Sequence, residues 1–105
     1  MHYRVELSAR AESDVKEAYN YIREHGPANP DKWKAGLEKK LASLESIPER
    51  FGLAPESRFA NVEIRQTFYA SFRILFTIRE QSVFIVTIRH GARQVLRRAD
   101  IRDLS

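Results

Sequence analysis

The chain has 105 residues, 43% of them hydrophobic and 30% charged, with a formal net charge of +4 and no cysteine. These values predict one globular domain, residues 1–105, and exclude a disordered tail, disulfides, thiol catalysis and cysteine-based metal sites. No apolar run approaches the roughly 20 residues that span a bilayer, so we expect a cytoplasmic protein with no membrane contact.

The first part of the chain predicts a strand followed by a helix. Residues 3–7 alternate apolar and charged side chains, as a half-buried strand does. Ser8 is a suitable N-cap for a helix that starts at Ala9 and stops at the sequence His25-Gly26-Pro27. The apolar stripe of this helix consists of Ala11, Val15, Ala18, Tyr19 and Ile22.

A second helix follows directly. Asn29 is predicted to cap it, with Pro30 at its first position, and the helix ends before Pro48. Its apolar positions repeat at intervals of three and four: Trp33, Leu37, Leu41 and Leu44. Two helices joined by a short turn form a hairpin, and the strands that follow are the surface on which it can pack. Trp33 is therefore predicted to anchor the helix to the sheet.

The remainder of the chain predicts three strands. Residues 62–68 alternate cleanly, while residues 69–79 and 83–93 are rich in Phe, Ile, Val and Thr and are joined by a polar turn at residues 80–82. Residues 94–101 are compatible with an edge strand, a helical turn or a tail. The order β-α-α-β-β-β predicts an α+β fold in which the helices pack on one face of a mainly antiparallel sheet.

The charge is distributed unevenly along the chain. Residues 1–56 contain nine basic and ten acidic side chains, whereas residues 57–105 contain nine arginines, no lysine and four acidic side chains. Arginine presents planar, forked donors suited to phosphate or carboxylate. The arginine-rich second half therefore favours a partner that carries such groups.

Neither a metal nor an organic cofactor is expected. The three histidines, at positions 2, 25 and 90, lack metal-ligand spacing. The four glycines are scattered and form no phosphate-binding loop.

Five short motifs follow one another in the chain: residues 7–11 (LSARA), 19–22 (YNYI), 47–51 (IPERF), 72–76 (FRILF) and 89–93 (RHGAR). In this order and spacing they resemble the RelE/ParE toxin superfamily of bacterial type II toxin–antitoxin modules, also described as plasmid stabilisation proteins. The resemblance covers nearly the whole chain. It implies a toxin with this α+β fold that is neutralised by a cognate acidic antitoxin and contacts operator DNA only through that antitoxin.

Members of the superfamily differ in activity, and the resemblance leaves three functions open. ParE-like members bind and inhibit DNA gyrase without enzymatic chemistry, and the 89–93 ending is more similar to these. RelE-like members are metal-independent endoribonucleases that cut mRNA on the ribosome; here Arg65, Arg73 and His90 would be the catalytic residues. The third possibility is a non-toxic homologue that acts as a co-repressor with its antitoxin. The C-terminal tyrosine and the lysine pair of the RelE pattern are missing from this chain.

For the ParE-like function, the candidate target-binding residues are Arg73, Arg89, His90 and Arg93. A purely structural function is the alternative. In that case Arg73 pairs with a helix carboxylate such as Glu17 or Glu24, and His90 caps a strand.

Overall fold

The computed structural model describes residues 2–26 and 29–91, which form two helices and four strands. In chain order these are β1 (Arg4–Leu7), α1 (Ala9–His25), α2 (Pro30–Ala42), β2 (Arg65–Tyr69), β3 (Phe72–Arg79) and β4 (Ser82–His90). Three short 3-10 turns lie between α2 and β2: Ser43–Glu45, Pro48–Arg50 and Pro55–Phe59. The predicted element order is confirmed. Arg93 and the ambiguous residues 94–101 lie outside the described residues.

The four strands form one sheet in the order β1-β4-β3-β2. β2 pairs with β3, and β3 with β4, in antiparallel register, whereas β1 joins β4 in parallel. The sheet is therefore mixed. The parallel pairing is possible because helices α1 and α2 and the later strands form the long connection that such a pair requires.

Both helices begin at the predicted caps. The Ser8 Oγ accepts a hydrogen bond from the Ala11 N–H at 2.9 Å, and the Asn29 Oδ1 accepts one from the Asp31 N–H at 2.9 Å. Each cap satisfies an amide that has no partner within its helix. The second helix ends earlier than predicted, at Ala42, because the chain tightens there into a 3-10 turn. None of the helices in the described residues is long and apolar enough to cross a membrane.

The main core lies between the helices and one face of the sheet. It is formed by the apolar stripes of α1 and α2 and by alternate residues of β3 and β4, among them Leu37, Ile74, Phe76 and Ile85. Trp33 is 7% exposed, and its ring centroid lies 5.4 Å from that of Phe72. The predicted anchoring role of Trp33 is confirmed.

The opposite face of the sheet is covered by the loop before β2. Ala54 and Ile64 from this loop pack on Leu75 and Val86 in a second, smaller buried cluster. Ile64 does not extend the strand as the alternation predicted. Its N–H instead binds the Ser57 Oγ at 3.0 Å, and its carbonyl accepts the Ala54 N–H at 2.7 Å, so β2 starts at Arg65.

Candidate functional site

Arg73, the strand arginine of the RelE-like pattern, lies in a buried network on the loop-covered face. Its Nη1 donates to the Glu56 Oε2 at 3.0 Å, and its Nη2 donates to the Glu56 Oε1 at 2.7 Å. Its Nε and Nη2 also donate to the Gln66 Oε1, at 3.2 and 2.9 Å. The side chains of Arg73 and Glu56 are 8% and 0% exposed. Because a guanidinium is a donor only, this network occupies all but one of its N–H groups.

The partner of Arg73 differs from the helix carboxylates proposed from the sequence. Glu17 and Glu24 lie on α1, which packs on the other face of the sheet. Glu56 comes instead from the 3-10 turn Pro55–Phe59. A paired, hydrogen-bonded charge is the form in which an arginine is tolerated at such depth.

Arg65 lies at the start of β2, where its side chain is held by backbone carbonyls. Its Nη1 donates to the carbonyl of Phe51 at 2.6 Å and to that of Glu49 at 3.3 Å, and its Nη2 lies 3.5 Å from a carboxylate oxygen of Glu63. In the sheet register Arg65 is opposite Phe76, a residue of the helix-facing core. Arg65 therefore connects the start of β2 to the 3-10 turn Pro48–Arg50 and to Phe51 directly after it.

His90 lies at the end of β4, opposite Phe72 in register, with the two ring centroids 5.5 Å apart. Phe72 packs against the helix-facing core. Since neighbouring strand residues point to opposite faces, Arg73 projects away from the face that carries His90. Loop cover on one face and helix packing on the other keep these two side chains apart.

The structure does not bring the three proposed ribonuclease residues together. Arg65 and His90 belong to strands on either side of β3 and pair with positions four residues apart, Phe76 and Phe72. That register offset is roughly 13 Å along the strand direction. In the register of the sheet Arg73 lies between Arg65 and His90, but on the other face.

Arg89 and His90 border a groove of about 570 Å³ between β4 and α1. Ile88 and Phe72 contribute apolar surface to it, and Tyr21 of α1, 64% exposed, contributes an aromatic ring. Of the four target-binding candidates, His90 is thus exposed beside an accessible surface, whereas Arg89 lines the groove but is half-buried and lies opposite Arg73 in register. Arg73 is buried, and Arg93 lies outside the described residues.

Asp14 of α1 fixes the wall of this groove. Its Oδ2 accepts hydrogen bonds from the Thr87 Oγ1 at 2.6 Å and from the Ile88 N–H at 3.0 Å. The pairing of β1 with β4 ends at Leu7 and Ile85, so Asp14 takes over as the partner of the next part of β4. Asp14 was not predicted from the sequence, although its spacing from Ala11 and Ala18 places it on the apolar stripe of α1, where a carboxylate requires a partner.

Glu56 was also missed, and its sequence context gave little indication of its role. It lies in a loop between Pro55 and Ser57, without the periodicity that marks a buried face. The only signal was indirect: a strand arginine surrounded by apolar residues requires a carboxylate.

Two tyrosine–carboxylate hydrogen bonds connect neighbouring elements. The Tyr19 hydroxyl donates to the Asp31 Oδ1 at 2.6 Å and so ties α1 to the first turn of α2. The Tyr3 hydroxyl donates to the Glu49 Oε2 at 2.6 Å. These hydrogen bonds are the principal causes that raise the pKa of both tyrosines, and the second is the principal cause that lowers the pKa of Glu49.

Within residues 2–26 and 29–91, no cluster of three or more His, Asp or Glu side chains is arranged to hold a metal ion.

Three solved toxin–antitoxin structures share this fold. They are the chromosomal ParDE system from P. aeruginosa, RelBE2 from Mycobacterium tuberculosis and the archaeal RelE–RelB complex from Pyrococcus horikoshii OT3. The first is 17% identical, with a TM-score of 0.64, and the match covers 85% of this chain and 96% of that one. The second is 20% identical, with a TM-score of 0.58 and coverages of 86% and 99%. The third is 12% identical, with a TM-score of 0.59 and coverages of 90% and 100%.

At these identities, the structural likeness establishes the fold. No curated protein matches the chain at a significant level of sequence similarity. The family model described as the ParE toxin of the type II toxin–antitoxin system, parDE, matches residues 5–95. Since this match spans most of the 105 residues, the chain belongs to the ParE toxin family of type II toxin–antitoxin systems.

Proposed function

We propose that this toxin is ParE-like in its action: it binds and inhibits DNA gyrase, and a cognate acidic antitoxin neutralises it. Family membership supports the toxin role and the antitoxin partner. The arginine-rich second half, with nine arginines against four acidic side chains in residues 57–105, supports a partner that carries negative charge.

The burial of Arg73 is the observation that carries the choice of a binding toxin over a ribonuclease. Metal-free cleavage of RNA needs cations that can reach the phosphate and a proton donor or acceptor beside them. The guanidinium of Arg73 is committed to Glu56 and Gln66 beneath a loop. Arg65 is committed to backbone carbonyls, and His90 lies on the other face from Arg73.

Arg89 and His90 are the residues that we propose to contact gyrase. They lie at the end of β4 beside the groove lined by Tyr21 and Phe72. A partner seated there would meet apolar and aromatic surface at the centre and charged groups at the rim, as a protein–protein interface does. Arg93 remains a proposed member of this set.

A supercoiling assay with purified gyrase tests the proposal. The protein should inhibit supercoiling at stoichiometric amounts, and Arg89→Gln and His90→Gln should each weaken inhibition by about tenfold, the effect of losing a hydrogen bond in an interface. Arg10→Gln and His2→Gln are the matched controls, because both residues are exposed and lie outside the groove between α1 and β4. Equal inhibition by all four variants would remove Arg89 and His90 from the interface.

Primer extension on translating ribosomes tests the alternative. We expect ribosome-bound mRNA to stay intact in the presence of the toxin. Codon-specific cuts that depend on Arg65, Arg73 and His90 would reverse the proposal in favour of a ribonuclease. Growth unaffected by the folded protein would instead favour the non-toxic co-repressor.

A further inference from the structure

A second surface of this protein, away from the groove between α1 and β4, carries two cations on one aromatic ring. The Lys40 Nζ lies 5.4 Å from the centroid of Phe51, and the Arg50 Cζ lies 4.6 Å from the same centroid. The Lys40 Nζ and the Arg50 Cζ are therefore separated by no more than the sum of these two distances. Ile47 adjoins these cations through the backbone, since its carbonyl accepts the Arg50 N–H at 3.2 Å. We call Lys40, Ile47, Arg50 and Phe51 the 47–51 surface.

These cations are held in place by the fold. The Arg50 Nη1 donates to the carbonyl of Ser46 at 2.8 Å, while Lys40 projects from the last turn of α2. Phe51 packs edge-on against the buried Phe76, with ring centroids 6.0 Å apart. Cation–π contacts and a backbone hydrogen bond thus give two flexible side chains a fixed geometry, and Arg50 remains exposed.

Neither cation of this surface forms an ion pair within the described part of the chain. Among residues 2–26 and 29–91, neither Lys40 nor Arg50 has a carboxylate oxygen within 4.0 Å. Glu49, the neighbour of Arg50, is turned toward the Tyr3 hydroxyl instead.

Ile47, which precedes this turn, has an unusual backbone conformation. Its φ of 45° and ψ of 60° lie in the left-handed region, and its side chain is 63% exposed. A β-branched residue is strained there, and the position before a proline normally has extended backbone. Glycine or asparagine would relieve the strain. Burial in the protein's own core does not explain this isoleucine, so a contact with another molecule is the function to consider.

We propose that the 47–51 surface is a docking site for an acidic, partly apolar segment of a protein partner. Carboxylates of that segment pair with Arg50 and Lys40, and an aliphatic side chain packs on Ile47. Arginine favours this choice because its fork binds a carboxylate through two parallel hydrogen bonds. The identification of this partner as the antitoxin rests on the proposed function. The chemistry of the surface is independent of that function.

The test uses the full chain and a fluorescein-labelled peptide of about twelve Asp, Glu and Leu residues, with binding followed by fluorescence anisotropy. Arg50→Gln and Lys40→Gln should each raise the Kd by about tenfold, because each removes one charge-assisted contact. Lys34→Gln is the matched control. Lys34 is exposed on the same helix as Lys40 and lies outside the 47–51 surface, and its substitution removes the same charge. It should change the Kd less than twofold.

Ile47→Asn provides a second measurement with effects of opposite sign. Asparagine tolerates left-handed backbone and is polar, so this variant should melt a few degrees higher than the wild type while binding the peptide more weakly. A folding defect would lower both the melting temperature and the affinity for the peptide. If Ile47 had no binding role, the Kd would be unchanged.

Three results would overturn the proposal: no binding of the acidic peptide, equal weakening by Lys34→Gln, or a Kd that is unchanged in Ile47→Asn. A DNA duplex that competes with the peptide and shows the same dependence on Arg50 and Lys40 would also overturn it, in favour of a nucleic-acid surface. Failure to inhibit gyrase, with peptide binding intact, would overturn the proposed target and leave the docking surface standing.

Discussion

Arg73 and Glu56 form a buried, two-pronged ion pair that fastens the loop before β2 to the middle of the sheet. The two hydrogen bonds measure 3.0 and 2.7 Å, and Gln66 of the neighbouring strand completes the network. The pair closes one face of the sheet and leaves the Arg73 side chain only 8% exposed.

We expect Glu56→Ala to lower the free energy of unfolding by about 3–5 kcal/mol, because it leaves the Arg73 charge buried without its main partner. Urea denaturation monitored by Trp33 fluorescence measures this change. Glu63→Ala is the control: its carboxylate lies 3.5 Å from Arg65 but is 70% exposed, and it should cost no more than about 1 kcal/mol. Equal losses for the two variants would contradict a special role for the buried pair.

The double variant Glu56→Leu with Arg73→Met separates folding from function. Apolar replacement of both partners should recover most of the stability lost in the single variant, since a buried ion pair contributes little over well-packed apolar groups. If Arg73 serves only the fold, the double variant keeps its toxicity in a growth assay. Lost toxicity in a stably folded double variant would return Arg73 to the functional residues.

Gly36 of α2 is required by Tyr69. The Tyr69 hydroxyl donates to the carbonyl of Trp33 at 2.9 Å, and a Cβ at position 36 would clash with the Tyr69 Oη. Gly36→Ala should therefore destabilise the protein by about 1–3 kcal/mol, although alanine favours helix by about 1 kcal/mol. Thermal denaturation measures the balance.

Two further variants identify the cause. Gly52→Ala introduces a Cβ with nothing within 4 Å and should leave the melting temperature nearly unchanged. Tyr69→Phe in the Gly36→Ala background removes the clashing oxygen and should restore part of the loss. A Gly36→Ala variant as stable as the wild type would show that Tyr69 can move aside.

The sequence predicted the elements of the fold well because each has a local cause. Ser8 and Asn29 begin the helices through short-range caps, and the stripes that include Trp33 and Leu37 define the buried faces. The parallel position of β1 beside β4 was not predicted, because alternation within residues 3–7 shows a strand but not its neighbour. The early end of α2 at Ala42 was missed for a similar reason: its apolar spacing continues to Leu44 through the 3-10 turn.

The candidate site was less predictable than the fold. Arg73 was predicted to be a catalytic or target-binding residue, and its partner Glu56 was not predicted because it lies 17 positions away in a loop without periodicity. Proximity of this kind depends on how the loop folds back over the sheet. Strand alternation does predict that neighbours such as Phe72 and Arg73 face opposite sides, and combined with register it separates Arg73 from His90.

Asp14 supports the part of β4 that extends beyond β1. Asp14→Ala removes the acceptor for the Ile88 N–H and the Thr87 hydroxyl, and we expect a loss of about 1–3 kcal/mol because these donors are partly buried. Hydrogen exchange of the Ile88 amide should accelerate more than that of Ile74 in the neighbouring strand. Glu17→Ala, one turn along the same helix, should leave both measurements unchanged; a matching effect there would point to general charge loss on α1.

The hydrogen bond between Tyr3 and Glu49 should make part of the stability depend on pH. The Tyr3 hydroxyl is the main cause that lowers the pKa of Glu49 below 4.5, so its contribution is present above pH 4.5 and is lost as the pH falls through the lowered value. The same bond is the main cause that raises the pKa of Tyr3 above 10.0, so that contribution is present below pH 10.0 and is lost as the pH rises through the raised value. The difference in unfolding free energy between the wild type and Tyr3→Phe should therefore form a plateau around neutral pH and decline on both sides.

Urea denaturation across this pH range measures the difference. Tyr21→Phe is the control, because the exposed Tyr21 hydroxyl makes no hydrogen bond within residues 2–26 and 29–91. A difference for Tyr3→Phe that does not change with pH would show that the Tyr3–Glu49 bond does not persist in solution.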